Sequence, residues 1–196
     1  MSSASLSAHG TPSARLIRAI TEQDSWALEQ HFVGTGIASP THHWRPSEEL
    51  APTTELRTLL NYWETLRHGD RLPPQADFDV LAVPCVFGFL MLLDVVNNGE
   101  DFYYRVYGTW IAQGTGFDMT GKRLSSVPTV SSLAAYFMAS YRAVVQQRAS
   151  LLAFHQPPPG QPIRRWARLI LPMVDAEDRV SRLLVGNMPD PAVKTI

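Results

Sequence analysis

The feature that most constrains this chain is a four-residue interruption between two extended runs. FLMLLDVV (residues 89–96) and DFYYRVYG (101–108) flank the tetrapeptide NNGE. Asn and Gly tolerate positive φ, so NNGE closes a hairpin. The two runs are then antiparallel neighbours, which argues against a parallel sheet with helical crossovers. The first run is apolar enough for burial on both faces. The second alternates: Phe102, Tyr104 and Val106 point one way and Tyr103, Arg105 and Tyr107 the other. Arg105 marks the second set as the outer face.

Gly108, Gly114, Gly116 and Gly121 follow directly. A dinucleotide fingerprint needs G-x-G-x-x-G inside a parallel βαβ unit, and the spacing here differs. A phosphate-cradling Walker loop needs Gly-Lys-Ser/Thr, whereas this chain has Gly121-Lys122-Arg123. The glycines therefore read as chain geometry. Gly108 ends the strand, Thr109 caps a short helix TWIAQ, and Gly114 and Gly116 stop it. A turn from Asp118 to Gly121 then wraps the segment over one end of a sheet.

On either side the pattern is regular. Leu56, Leu59, Leu60, Trp63 and Leu66 fall at helical spacing behind a Pro52-Thr53 start, with Gly69 as the stop. Val130, Leu133, Ala134, Phe137, Met138, Tyr141, Val144 and Val145 trace one face of a long helix; Ser131, Ser132, Arg142, Gln146 and Gln147 take the other. SLLAFHQ, IRRWARLILPMV and VSRLLVGNM read as three closing strands joined by turns. Leu16, Ile17, Ile20, Ala27, Leu28 and His31 suggest one earlier helix interrupted by Asp24. Residues 1–13 read as a disordered tail, and GIASPTHHWRPSEELAPT as a linker without stable structure. The expected fold is α+β: a five-stranded antiparallel sheet with helices on one face, plus an N-terminal helical extension. Residues 1–50 form the tail, helix and linker, and 51–190 the domain.

Bulk properties narrow the function. Apolar residues make up 45% of the 196, charged residues 18%, and the net charge is −1. That leaves no general attraction to nucleic acid. Arg164, Arg165 and Arg168 are the nearest thing to a basic cluster, and they read as solvated strand positions. No run is long enough for a membrane span and no signal peptide is present, so a cytoplasmic location is expected. Cys85, the single cysteine, reads as a buried inert thiol.

Chemical motifs are sparse. His42 and His43 are adjacent and cannot face one ion together, so no metal site is expected and both read as solvent-exposed. His68 reads as a helix-end cation. Ser125 and Ser126 lack a nucleophile elbow. Asp94 reads as a strand-end hairpin cap, or alternatively as the general base of a small pocket enzyme of isomerase type, working with Tyr104. The aromatic set Tyr104, Trp110, Phe137, Tyr141 and Trp166 would surround a small apolar or aromatic ligand if the long helix lies across the sheet; alternatively these rings simply fill the core.

These residues carry a resemblance. A hairpin, a y-x-G-T strand end, a short helix, a T-G-K-x-L turn, a long helix and three strands resemble a PAS domain. Tyr62-Trp63, Gly69 to Pro73, Asp101 to Thr109, Thr120 to Leu124 and Leu169 to Pro172 are similar to the motifs of a single-domain PAS family found mainly in alphaproteobacteria. The late strand departs from that family, with Trp166-Ala167 where a glutamate or similar residue usually precedes Arg-Leu. The resemblance implies a bacterial sensory or regulatory module rather than an enzyme, acting through a signalling protein partner. It also implies pairing with its own copy in a homodimer; no cofactor is expected, since the helix from Val130 to Gln147 carries no histidine. His155 is the nearest approach to a haem ligand, and Cys85 lies in no flavin motif. A ligand-free dimeric adaptor is the other reading.

Overall fold

The computed structural model describes residues 11–191. Its centre is a six-stranded, wholly antiparallel sheet. The strands are β1 (Thr41–Trp44), β2 (Leu90–Val96), β3 (Asp101–Tyr107), β4 (Leu151–His155), β5 (Trp166–Val174) and β6 (Val180–Pro189). Their spatial order is β1-β4-β5-β6-β2-β3. The helices are α1 (Pro12–Glu22), α2 (Ser25–Phe32), α3 (Thr54–Thr65), α4 (Thr109–Thr115) and α5 (Ser131–Gln147). The α+β class and the antiparallel sheet expected from the sequence are what the chain adopts.

The sixth strand comes from the stretch read as a linker. Thr41–Trp44 pairs with Leu151–Phe154, and the Arg45 N–H continues the ladder to Ser150 O at 2.8 Å. Two prolines flank these four residues without interrupting them, so the ladder bonds override the local breaker signal. The single expected N-terminal helix is two. Gln23 takes a left-handed conformation and Asp24 caps α2, accepting from Ala27 N at 3.0 Å. Of the expected disordered tail, residues 1–10 lie outside the described residues. Thr11 caps α1 through its hydroxyl, and Pro12 and Ser13 begin the helix.

Both faces of the central strands are covered. Helix α3 opens on a Thr53 cap and lies on one face, where Gly186 makes room for it: a Cβ there would stand 2.6 Å from Leu56 Cδ2. Trp63 Nε1 donates to Pro172 O at 3.0 Å. Helix α5 crosses the other face, and α1 and α2 cover its back. Leu16, Ala19, Ile20 and Phe32 are buried there, together with Tyr136, Ala139, Ser140 and Ala143 of α5. The back of α5 is thus a second interface, and burying each large side chain in it contributes about 1.5–3 kcal/mol.

Strand β3 breaks its own alternation. Leu92 faces Val106 while Leu93 faces Tyr104, so Arg105 is an extra residue on β3. This bulge reverses the side-chain facing beyond it. Tyr107 therefore turns inward and is buried, and Val106 is exposed, the opposite of the strict period-two expectation. The glycine segment runs along the free edge of β3 rather than over the sheet's end. Tyr104 N donates to Lys122 O at 3.0 Å, and Gly121 N to Tyr104 O at 2.8 Å. Gly108 occupies the cap position of α4, Thr109 is its first residue, and Gly116 (φ 82°) ends it.

Candidate functional site

Between α5 and the sheet, the interior is filled near the hairpin and hollow near the start of the helix. The hollow measures about 390 Å³. Phe117, Val127, Leu133, Phe137 and Trp166 supply apolar walls, and Pro157, Pro158 and Gln161 of the β4–β5 loop border it. The polar wall is built by register. Ala153 faces Arg168, and Arg168 faces Asn187. Residues two apart on a strand share a face, so His155 and Trp166 join them on the side toward α5.

Tyr104, Phe137 and Trp166, singled out from the sequence, line the hollow together. Tyr141 does not: it is fully buried toward the hairpin, its ring 5.2 Å from Phe102 in an edge-to-face contact. Trp110 is 59% exposed and stacks on Phe89 outside the sheet. It lies there because α4 turns Ile111 inward, and because Gly88 leaves space where a Cβ would meet Trp110 Cδ1 at 1.8 Å.

Arg168 carries the unusual chemistry. It is 6% exposed, so the solvated position read from the sequence is corrected. Its neighbour Arg165 points to the other face and pairs with Asp190, while Arg164 is exposed. Arg168 Nε donates to Asn187 Oδ1 at 3.0 Å, and its guanidinium carbon sits 4.0 Å from the centre of the Phe137 ring. Nη1 is buried without a hydrogen-bond partner, and so is Nδ1 of His155. No carboxylate pairs with Arg168 among the described residues. The Phe137 face offsets part of that cost, since a desolvated cation over a ring gains about 2 kcal/mol.

The surrounding groups are neutral. Burial, then the nearby Arg168 charge and His42, holds His155 well below the ordinary imidazole range. Burial, then Tyr141, pushes the Tyr104 hydroxyl well above the ordinary phenol range, and burial raises Tyr107 to about 12. The Tyr141 hydroxyl lies against that of Tyr104 without a well-formed hydrogen bond. The hollow therefore offers one permanent positive charge, neutral hydroxyls and an aromatic wall. Arg168, Asn187 and Tyr107 were not expected here. The i, i+2 relation between Trp166 and Arg168 was the available signal for the first.

Other candidates resolve into structure. Asp94 faces Tyr103 and Arg182 across the ladder, whereas Tyr104 faces Leu93. Asp94 and Tyr104 thus point to opposite faces and cannot share an active site. Arg105 (2.5 Å) and Arg182 (3.2 Å) clamp Asp94 in mid-strand, so it is neither a strand-end cap nor a shielded base. His42 is buried, not exposed, and shares a 2.9 Å hydrogen bond with the Tyr136 hydroxyl behind α5. Cys85 is exposed, because the 3-10 segment Pro84–Phe89 turns Val86 inward instead. His68 stands beyond the end of α3, 3.8 Å from Asp77. Ser125 Oγ donates to Asp101 Oδ2 at 2.7 Å, tying the turn at Leu124–Ser126 to the hairpin. No cluster of metal-ligating side chains occurs among the described residues, and no helix there is long and apolar enough to cross a membrane.

An antiparallel sheet with a helix laid over a hollow on its inner face defines an α+β domain of the PAS type. The chain matches the PAS domain family over residues 52–187 and belongs to that family. No curated protein matches it. Among solved structures, an RNA-binding light-oxygen-voltage receptor is similar, with 10% identity and a TM-score of 0.38. That alignment covers 90% of this chain and 61% of the receptor, so the chain spans less than two thirds of the receptor's length.

Proposed function

We propose that this protein is a bacterial sensory or regulatory PAS module acting through a signalling protein partner, with a small apolar or aromatic ligand held between α5 and the sheet. The observation that carries this reading is the position of the 390 Å³ hollow under α5. The back of the same helix is clasped by the N-terminal extension. Arg142 donates to Ser13 Oγ (3.0 Å) and His31 Nε2 to Ser132 O (2.9 Å), while Arg142 also ties α5 to the hairpin turn through Gly99 O (2.7 Å) and Glu100 O (2.6 Å). A guest that moves α5 biases how α1 and α2 sit on it, and a ligand shifts such an equilibrium by its differential affinity for the two arrangements. In this reading residues 51–190 form the sensing unit, residues 1–50 relay its state, and the protein works in the cytoplasm without catalysing a reaction.

Native mass spectrometry of the purified chain tests the ligand. A retained small molecule, lost on denaturation, is expected. A ligand-free homodimeric adaptor is the second reading, favoured by exposed apolar side chains at Leu81, Phe87 and Trp110 that a second copy would cover. A dimer with no bound mass, broken by Trp110→Ser, would select it.

A further inference from the structure

We infer that the guest in the hollow is a small organic anion, a carboxylate on an apolar or single-ring body, with Arg168 as its anchor. This rests on the reading of the hollow as a ligand site and names the chemistry that site selects.

A guanidinium carries five N–H donors. Arg168 uses one of them, from Nε to Asn187 Oδ1. That bond fixes the plane of the guanidinium and leaves Nη1 buried without a hydrogen-bond partner. A buried cation without a counter-charge is the situation folded proteins avoid most consistently. Here it is set into the wall of a preformed hollow. Nδ1 of His155, on the same face of the sheet, is a second buried polar atom without a partner. Arg168 and His155 both belong to the lining of the hollow, and their unmet hydrogen-bonding capacity marks that wall as a place for a polar ligand group.

The charge and the walls together set the class. A planar carboxylate matches the guanidinium fork. Phe117, Leu133, Phe137 and Trp166 accept an apolar or aromatic body and give nothing to a second charge. The volume holds roughly a dozen non-hydrogen atoms, taking about 30 Å³ for each as for liquid water. Aspartate and glutamate are absent from the lining, so no like charge in the hollow opposes an anion.

The test is calorimetric titration of the full chain with benzoate, phenylacetate and 3-phenylpropionate, each beside its uncharged amide. At least one carboxylate is expected to bind tenfold or more tighter than its amide. In Arg168→Met that preference is lost while the chain stays folded, as circular dichroism and the melting temperature report. Arg168→Lys, which keeps the charge without the fork, regains part of it. Amides binding as well as the acids would overturn the anion and leave the ligand site standing. Neither series binding the wild type, together with no retained mass in native spectra, would overturn both.

Discussion

The two ends of the space under α5 are built from the same helix and the same sheet, yet one is solid and the other hollow. At the hairpin end Tyr141 lies edge-on to Phe102, and Leu93, Val144 and Phe102 are all fully buried. At the other end Phe137 stacks on the Arg168 guanidinium, and the two residues line a hollow together with Asn187. The solid end follows the rule that interiors close to crystal-like density. The hollow end breaks it and adds a lone cation. Dense apolar packing is thus concentrated where α5 meets the hairpin, and the hollow with its buried cation lies where α5 meets β5 and β6.

That contrast can be broken by truncation. Phe102→Ala is expected to lower unfolding free energy in denaturant titrations by about 3–5 kcal/mol, through a cavity the solid end cannot close. Phe137→Ala, at a half-buried position beside existing empty space, is expected to cost less than half as much. Equal losses would show that the two ends are energetically alike.

Acid sharpens the same contrast behind the helix. Burial, then the neighbouring His43 charge, lowers His42 to about 4 from an ordinary 6.5. Between those values the unfolded chain binds more protons than the folded one. Stability is therefore intact above about pH 6.5 and falls as the pH drops toward 4, by on the order of 3 kcal/mol from this residue. Denaturant midpoints between pH 7 and pH 4.5 check this, and His42→Gln should flatten the slope.

A smaller effect of opposite sign is expected at the hollow end. Arg168→Met removes an unpaired buried charge and should raise stability by about 1–2 kcal/mol in the ligand-free protein. A drop of similar size would mean that the cation supports the fold. The smallest effect belongs to Gly114→Ala. The new Cβ would stand 2.7 Å from Ile163 Cδ1 and 3.2 Å from the Trp166 ring, against a helix-propensity gain of about 1 kcal/mol. Net stability should change by less than about 1 kcal/mol while the hollow narrows, visible as weaker binding of whatever guest the wild type takes.

Much of the frame was legible beforehand. NNGE closes its hairpin with Asn97, Asn98 and Gly99 all at positive φ, as the residue types require. Thr53 caps α3, and α5 begins within a residue of its expected start. The misses share a cause. THHW was hidden by flanking prolines because its strand exists only through β4. Tyr107 was placed outside because one extra residue at Arg105 leaves no mark on composition. Tyr136 and Ser140 fall outside the apolar stripe traced for α5 yet are buried, since nothing nearby in sequence announced that α1 would cover them.

What the amino-acid order determined by itself is local: turns, caps, the alternation of strands and the apolar stripe of the long helix. All are set by φ preferences and side-chain period within a few residues. What only the tertiary structure decided is which side chains lose water. Arg168 has Ala167 and Leu169 as chain neighbours whatever the fold. It becomes a buried, unpaired cation only because Phe137, thirty-one positions earlier, and Asn187, nineteen later, are folded onto it. Solvent access depends on what lies opposite, and that is a property of the assembled layers.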